Sequence, residues 1–233
     1  MSGGLRVMRA APSRPRKIGL FGGSFDPVHV GHLAVARAAL RRFHLHELHF
    51  VVAGRPPHKP RHELAAFAHR FAMVALACAE HPHCLPSLAE AGPDGSGTRV
   101  HYSIETVRRF RQELRRDDRL YFLVGADSFL EIPTWRSYEV LLDSCDFIVA
   151  SRPGFRLDAL RLVIPPELLG RPSAGASDPR AIPLRKSFVH LLETVASHVS
   201  ATEIRRRRRH AQSIHGLVPA RVEEYILKQA LYR

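Results

Sequence analysis

The residues best suited to chemistry form an early glycine-histidine run, Gly22-Gly23-Ser24-Phe25-Asp26-Pro27-Val28-His29-Val30-Gly31-His32. Gly22 and Gly23 let the backbone approach a phosphate with no Cβ in the way, and a helix beginning just beyond them offers free N–H groups and a positive dipole end. His29 and His32, three residues apart, share a face, so two imidazoles can hold neighbouring phosphate oxygens. A late string, Val199-Ser200-Ala201-Thr202-Glu203-Ile204-Arg205, has the same character. Ser200 or Thr202 can cap a helix, and Arg205 can reach phosphate oxygens near its N-terminus. The arginines 206–209 that follow read as a solvated helix face.

HxGH after a glycine-containing strand end resembles the ATP-binding motif of the HIGH-type nucleotidyltransferases. The longer GGSFDPVHxGH form is similar to bacterial nicotinate mononucleotide adenylyltransferases. Walker A and GxGxxG strings are absent, so neither the P-loop nor the dinucleotide fingerprint competes with it. The resemblance runs in order from Lys17 through the arginine run. Pro56-Pro57-His58-Lys59 is similar to a loop approaching the acceptor phosphate, with Lys59 as its cation. Tyr102-Ser103-Ile104-Glu105-Thr106 resembles a YTxxT element that meets the pyridine substituent, Ser103 replacing its first threonine; read alone, Ser103 is a helix N-cap. Gly125-Ala126-Asp127-Ser128 resembles a GxDS loop, Pro133-Thr134-Trp135 a PTW element whose tryptophan stacks on the nicotinate ring, and Arg152-Pro153-Gly154 an RPG turn beside a phosphate.

The resemblance implies an ATP site of Gly22, Gly23, Ser24, Phe25, His29, His32, Gly125, Asp127, Ser200, Thr202 and Arg205, with His29, His32 and Arg205 catalytic. Lys59, Tyr102, Ser103, Thr106, Trp135 and Arg152 would bind the mononucleotide. The implied reaction joins ATP to nicotinate mononucleotide and releases pyrophosphate. With a second pKa near ~6, the attacking phosphate is already largely ionised at neutral pH and needs no general base. Catalysis would come from positioning and preorganised charge. Mg²⁺ would ride on the ATP phosphates rather than in a protein cage, which keeps the protein's own metal ligands at none.

These residues need a scaffold. Apolar runs at 18–21, 48–53, 120–124 and 147–150 are short and β-rich enough to be buried strands, with weaker candidates at 84–88 and 188–192. Leu33, Ala36, Leu40 and Phe43 repeat at helical spacing, as do Ile104, Val107, Phe110 and Leu114; Pro219 can open a last helix carrying Val222, Tyr225 and Ile226. The alternation predicts a doubly wound α/β fold, mainly parallel, with helices on both faces and ligands beyond the carboxyl ends of the strands. Residues 1–16 read as an unordered basic leader, 17–233 as one domain, and the proline-rich 165–187 as a mobile surface insertion.

At 233 residues, 45% apolar and 24% charged, the chain supports one large core. Its net charge of +13 favours anionic partners. Three cysteines in no CxxC pair fit free thiols in the cytoplasm. No apolar run is long enough for a membrane span, and His81, His83 and Cys84 lack a fourth ligand for zinc. Two other readings stay open. One is a related HxGH transferase preferring nicotinamide mononucleotide or phosphopantetheine. The other is an RNA-binding protein with a degenerate nucleotide fold, against which no RNA-binding signature is found.

Overall fold

The computed structural model describes residues 14–55, 64–170, 178, 180–193 and 199–233. Strands and helices alternate along most of the chain: β1 Lys17–Gly23, α1 Val30–Phe43, β2 Glu47–Val52, α2 Phe67–Cys78, β3 Cys84–Ser87, α3 Ser103–Glu113 and β4 Arg119–Gly125. There follow α4 Ala126–Leu130, α5 Tyr138–Ser144, β5 Asp146–Ser151, α6 Leu157–Arg161, β6 Ala181–Pro183, β7 Phe188–Glu193, α7 Ala201–Arg209 and α8 Ala220–Lys228. One sheet runs β3-β2-β1-β4-β5-β7-β6. Its pairs are parallel except β6 with β7.

The apolar strands expected from sequence form because each is buried on both sides. In β1, Phe21 faces one core, while Ile18 and Leu20 face the other. In β4, Tyr121 and Leu123 join the first core; Leu120, Phe122 and Val124 join the second. The first core is closed by α1, α2, α7 and α8, through Leu33, Met73, Ile204 and Val222 among others. The second is closed by α3, α4, α5 and α6, through Val107, Phe129, Leu141 and Leu160. Sequential strands leave β1 outward to β2 and β3, and the chain then returns to β4 on the other flank. That reversal opens a crevice at the carboxyl ends of β1 and β4, where ligands of such sheets bind.

Two expectations change. Arg16, assigned to the leader, belongs to the fold: its N–H donates to Asp118 Oδ1 at 2.8 Å and its Nη2 to Oδ2 at 3.1 Å. Buried Asp118 also accepts from the Arg115 N–H, so the start of β1 is tied down by a carboxylate that needs those donors. The segment at 165–187 is not simply a surface insertion. Leu168, Ile182 and Leu184 are buried in the second core, and β6 adds an antiparallel edge strand, Ile182 opposite Val189. An edge strand tolerates the proline at 183, which has no N–H to give a second neighbour. The prolines at 172 and 179 lie outside the described residues. Among the described residues, no helix is long and apolar enough to cross a membrane.

Candidate active site

The crevice is a cavity of about 1270 Å³. Gly22, Gly23, Ser24, His29 and His32 border it from the end of β1 and the start of α1; Gly125 and Asp127 border it where β4 enters α4. At Gly23 the missing Cβ has a packing reason, because an added one would lie 3.0 Å from the Phe25 ring. Phe25 itself takes a left-handed backbone, φ 47°, which costs a non-glycine residue roughly 1–2 kcal/mol. Burial offsets this: its ring packs on Phe21, Phe50 and His32 at centroid distances of 5.0–5.5 Å. Phe25 therefore turns its side chain into the core and has only backbone left for a ligand.

His29 is the N-cap of α1, and its N–H donates to His32 Nδ1 at 3.2 Å. The two rings stack, 3.7 Å apart at 28°. Since His32 Nδ1 accepts, neutral His32 carries its proton on Nε2. Burial pushes the His29 pKa down to about 4. Burial, and after it the neighbouring His29, hold His32 well below the ordinary value of 6.5. Both imidazoles are therefore neutral at pH 7, each a hydrogen-bond donor that contributes no charge. His29 Nδ1 is buried with no partner among the described residues.

Buried polar groups hold this turn. Arg70, the one formally charged residue of the largely apolar helix α2, is 2% exposed. It donates Nε to Ala65 O at 3.0 Å, Nη1 to Ser24 O at 3.0 Å and Ala53 O at 2.6 Å, and Nη2 to Gly54 O at 2.9 Å. One guanidinium thus staples the ends of β1 and β2 to the start of α2. Asp26, fully buried, accepts from Tyr232 Oη at 2.7 Å and Ala65 N–H at 3.2 Å. Arg205 Nη1 donates to Asp26 O at 2.7 Å, stands 3.7 Å from Asp26 Oδ2, and its Nη2 reaches Thr202 Oγ1 at 3.4 Å. Ser200 caps α7, accepting from Glu203 N–H at 3.2 Å. The early turn and the late helix, 179 residues apart at this contact, therefore meet. Val199 borders the cavity, and Ser200, Thr202 and Arg205, which follow it in the chain, do not. Arg206 and Arg207 each pair with Glu203 at 2.8 Å.

On the remaining wall, Tyr102, Ser103, Thr106, Trp135, Arg136 and Arg152 border the cavity. Tyr102, not Ser103, is the N-cap of α3, which makes Ser103 its first residue; Asp127 likewise is the second residue of α4 behind a Gly125 cap. Thr106 Oγ1 donates to Glu90 Oε1 at 2.9 Å, and Gly54 N–H to Glu90 Oε2 at 3.4 Å. Burial raises the Glu90 pKa, against those bonds. Trp135 is half-buried, edge-on to Phe122 at 6.2 Å and 75°, leaving ring surface at the cavity. Gly154, φ 83°, allows the turn that carries exposed Arg152. Among the described residues no group of three or more His, Cys, Asp or Glu could hold a metal ion.

Comparison with known proteins gives the family. The cytidylyltransferase-like family model matches residues 20–207. A probable nicotinate-nucleotide adenylyltransferase of Moorella thermoacetica is 38% identical over 95% of this chain and 94% of its own. Another, of Citrifermentans bemidjiense, is 36% identical over 93% and 98%. The chain belongs to the nicotinate-nucleotide adenylyltransferase family. Among solved structures, the nicotinic acid mononucleotide adenylyltransferase of Plasmodium falciparum shares the fold in complexes with APC and with NaAD. The TM-scores are 0.67 and 0.66, at 19% and 20% identity, over 93% of this chain and 97% of the other.

Of the residues that the adenylyltransferase resemblance named, most border one cavity. Phe25 and the Ser200, Thr202 and Arg205 group do not border it, and Lys59 lies outside the described residues. Sequence reading passed over Asp26, Arg70, Glu90, Arg136 and Tyr232. Two signals were present: Asp26 sits inside the glycine-histidine string, and Arg70 is a lone charge inside the apolar run of α2.

Proposed function

We propose that this chain transfers the adenylyl group of ATP to the phosphate of nicotinate mononucleotide, giving nicotinate adenine dinucleotide and pyrophosphate in NAD biosynthesis. The observation that supports the reading is the contact of Arg205 Nη1 with Asp26 O at 2.7 Å, which joins the early glycine-histidine turn to the late serine-threonine-arginine helix. Residues 17–233 act as one catalytic unit in this reading. The buried free thiols of Cys78, Cys84 and Cys145 support a reducing compartment, the cytoplasm.

In the reaction, His29 and His32 donate hydrogen bonds to ATP phosphate oxygens as neutral imidazoles. Such donors, fixed by stacking and by the α1 N-terminus, need no reorganisation as charge develops on the α-phosphoryl group and leaving pyrophosphate. Gly22, Gly23, Ser24 and the Phe25 backbone shape the phosphate bed, Gly125 and Asp127 border the nucleoside, and Arg205, steadied by Asp26 and Thr202 on the helix that Ser200 caps, offers the charge that imidazoles do not. Trp135 stacks on the pyridine ring, with Tyr102, Ser103 and Thr106 at its substituent and Lys59 and Arg152 toward the acceptor phosphate. Mg²⁺ on the ATP phosphates would neutralise charge and orient them for in-line attack.

The test incubates the purified protein with Mg-ATP and, separately, nicotinate mononucleotide, nicotinamide mononucleotide and phosphopantetheine, and identifies products by mass spectrometry beside pyrophosphate release. Nicotinate adenine dinucleotide as the dominant product is expected. Turnover of phosphopantetheine alone, or no turnover, refutes the reading.

A further inference from the structure

Arg136 is a charged side chain on the cavity wall to which the reaction as described gives no task. It follows Trp135 directly, and its guanidinium carbon lies 4.6 Å from the centroid of the Tyr102 ring, well inside the range at which an aromatic face holds a cation. Among the described residues no carboxylate pairs with it, unlike Arg205, Arg206 and Arg207, which each meet one. A cation held over a ring spends none of its N–H donors on that contact, so the planar fork of the guanidinium is left for a planar anion.

The neighbourhood says which anion. Tyr102, Ser103, Trp135 and Arg136 border the cavity together, with Glu90 on the same wall system. Glu90 has each carboxylate oxygen committed, to Thr106 and to Gly54. An acidic group there gives no attraction to a second negative group on the acceptor ring, and any charge it carries opposes one. A site built to accept a ring acid needs a compensating cation beside the stacking platform. Arg136 is attached to that platform through Trp135 and steadied on the residue capping α3.

We propose that Arg136 is a specificity-determining residue: its guanidinium, docked on Tyr102, pairs with the ring carboxylate of the acceptor and selects the acid over the amide. This deepens the adenylyltransferase reading and rests on it.

The experiment measures kcat/KM for nicotinate and nicotinamide mononucleotides, with saturating Mg-ATP, in the wild-type protein, Arg136→Met and Arg136→Lys. Met keeps an unbranched stem without the charge; Lys keeps the charge without the planar fork. Because Arg136 is exposed, circular dichroism and thermal midpoint should match wild type. The preference for the acid should fall by about tenfold or more in Arg136→Met, the scale of a charge-assisted hydrogen bond, and be partly restored in Arg136→Lys. An equal loss for both acceptors would place the guanidinium on the shared phosphate and overturn the proposal, as would an unchanged ratio or a wild type with no preference. A folded wild-type protein that adenylylates neither acceptor removes the underlying reading as well, which separates the two failures.

Discussion

The two halves of the cavity are built differently. The turn at 22–32 sits on groups withdrawn from water: Asp26 is fully buried, Arg70 spends its guanidinium on four carbonyls, and His29 and His32 are stacked and neutral. The wall of Tyr102, Trp135, Arg136 and Arg152 is half-buried or exposed and is held by ring contacts. A site that stabilises developing charge profits from donors that cannot move. One that recognises a substituent needs only a shaped surface with the right charge at its edge. Substitutions on the first side should damage turnover, and the fold as well where a buried charge is removed, and those on the second should move acceptor binding.

The sharpest way to break this contrast is Arg70→Met. It leaves the carbonyls of Ser24, Ala53, Gly54 and Ala65 without their shared donor, so the unfolding free energy in urea should fall by about 3 kcal/mol or more, with activity lost. A variant of wild-type stability would show that the staple is not needed. His32→Ala should keep the fold but lower kcat by roughly 10²-fold, the effect of losing one preorganised donor; stopped-flow pyrophosphate release reads it directly. Trp135→Ala should raise the acceptor KM about tenfold with kcat little changed, since stacking holds substrate and transition state alike. A fall in kcat instead would move Trp135 to the reacting side of the comparison.

The smallest effect at neutral pH is that of acidification. A histidine whose folded pKa lies below its unfolded value binds more protons when the chain unfolds. The His29 contribution to stability is therefore complete above about 6.5 and is lost as pH falls from 6.5 toward about 4. Urea midpoints across that window should drop, and the ligand-free His29 ring should titrate near 4 by NMR. A midpoint near 6.5 would mean a solvated, chargeable imidazole and erase the difference between the two sides.

Much of the fold was legible because its strands announce themselves. A strand covered on both faces has to be apolar throughout, so the runs beginning at Ile18, Leu48, Leu120 and Phe147 could be read one at a time. The edge strand at 181–183 could not. Its proline and short length carry no pattern, and it exists because β7 offers an open edge and the second core has room for Ile182. Arg16 looked like part of a tail until Asp118, 102 residues away, came within reach.

For the site, the sequence by itself determined the local chemistry: glycines beside a phosphate-sized turn, two histidines on one helix face, a capped helix ending in arginine, one tryptophan after a proline turn. These depend on neighbours within a few residues, and spacing along the chain is enough to specify them. Only the tertiary structure decided how the histidines are charged, which way Phe25 points, that Thr106 is spent on Glu90, and that Asp26, Arg70, Tyr232 and Arg205 form one support. Burial and long-range hydrogen bonds set those properties, and neither exists until distant segments pack together.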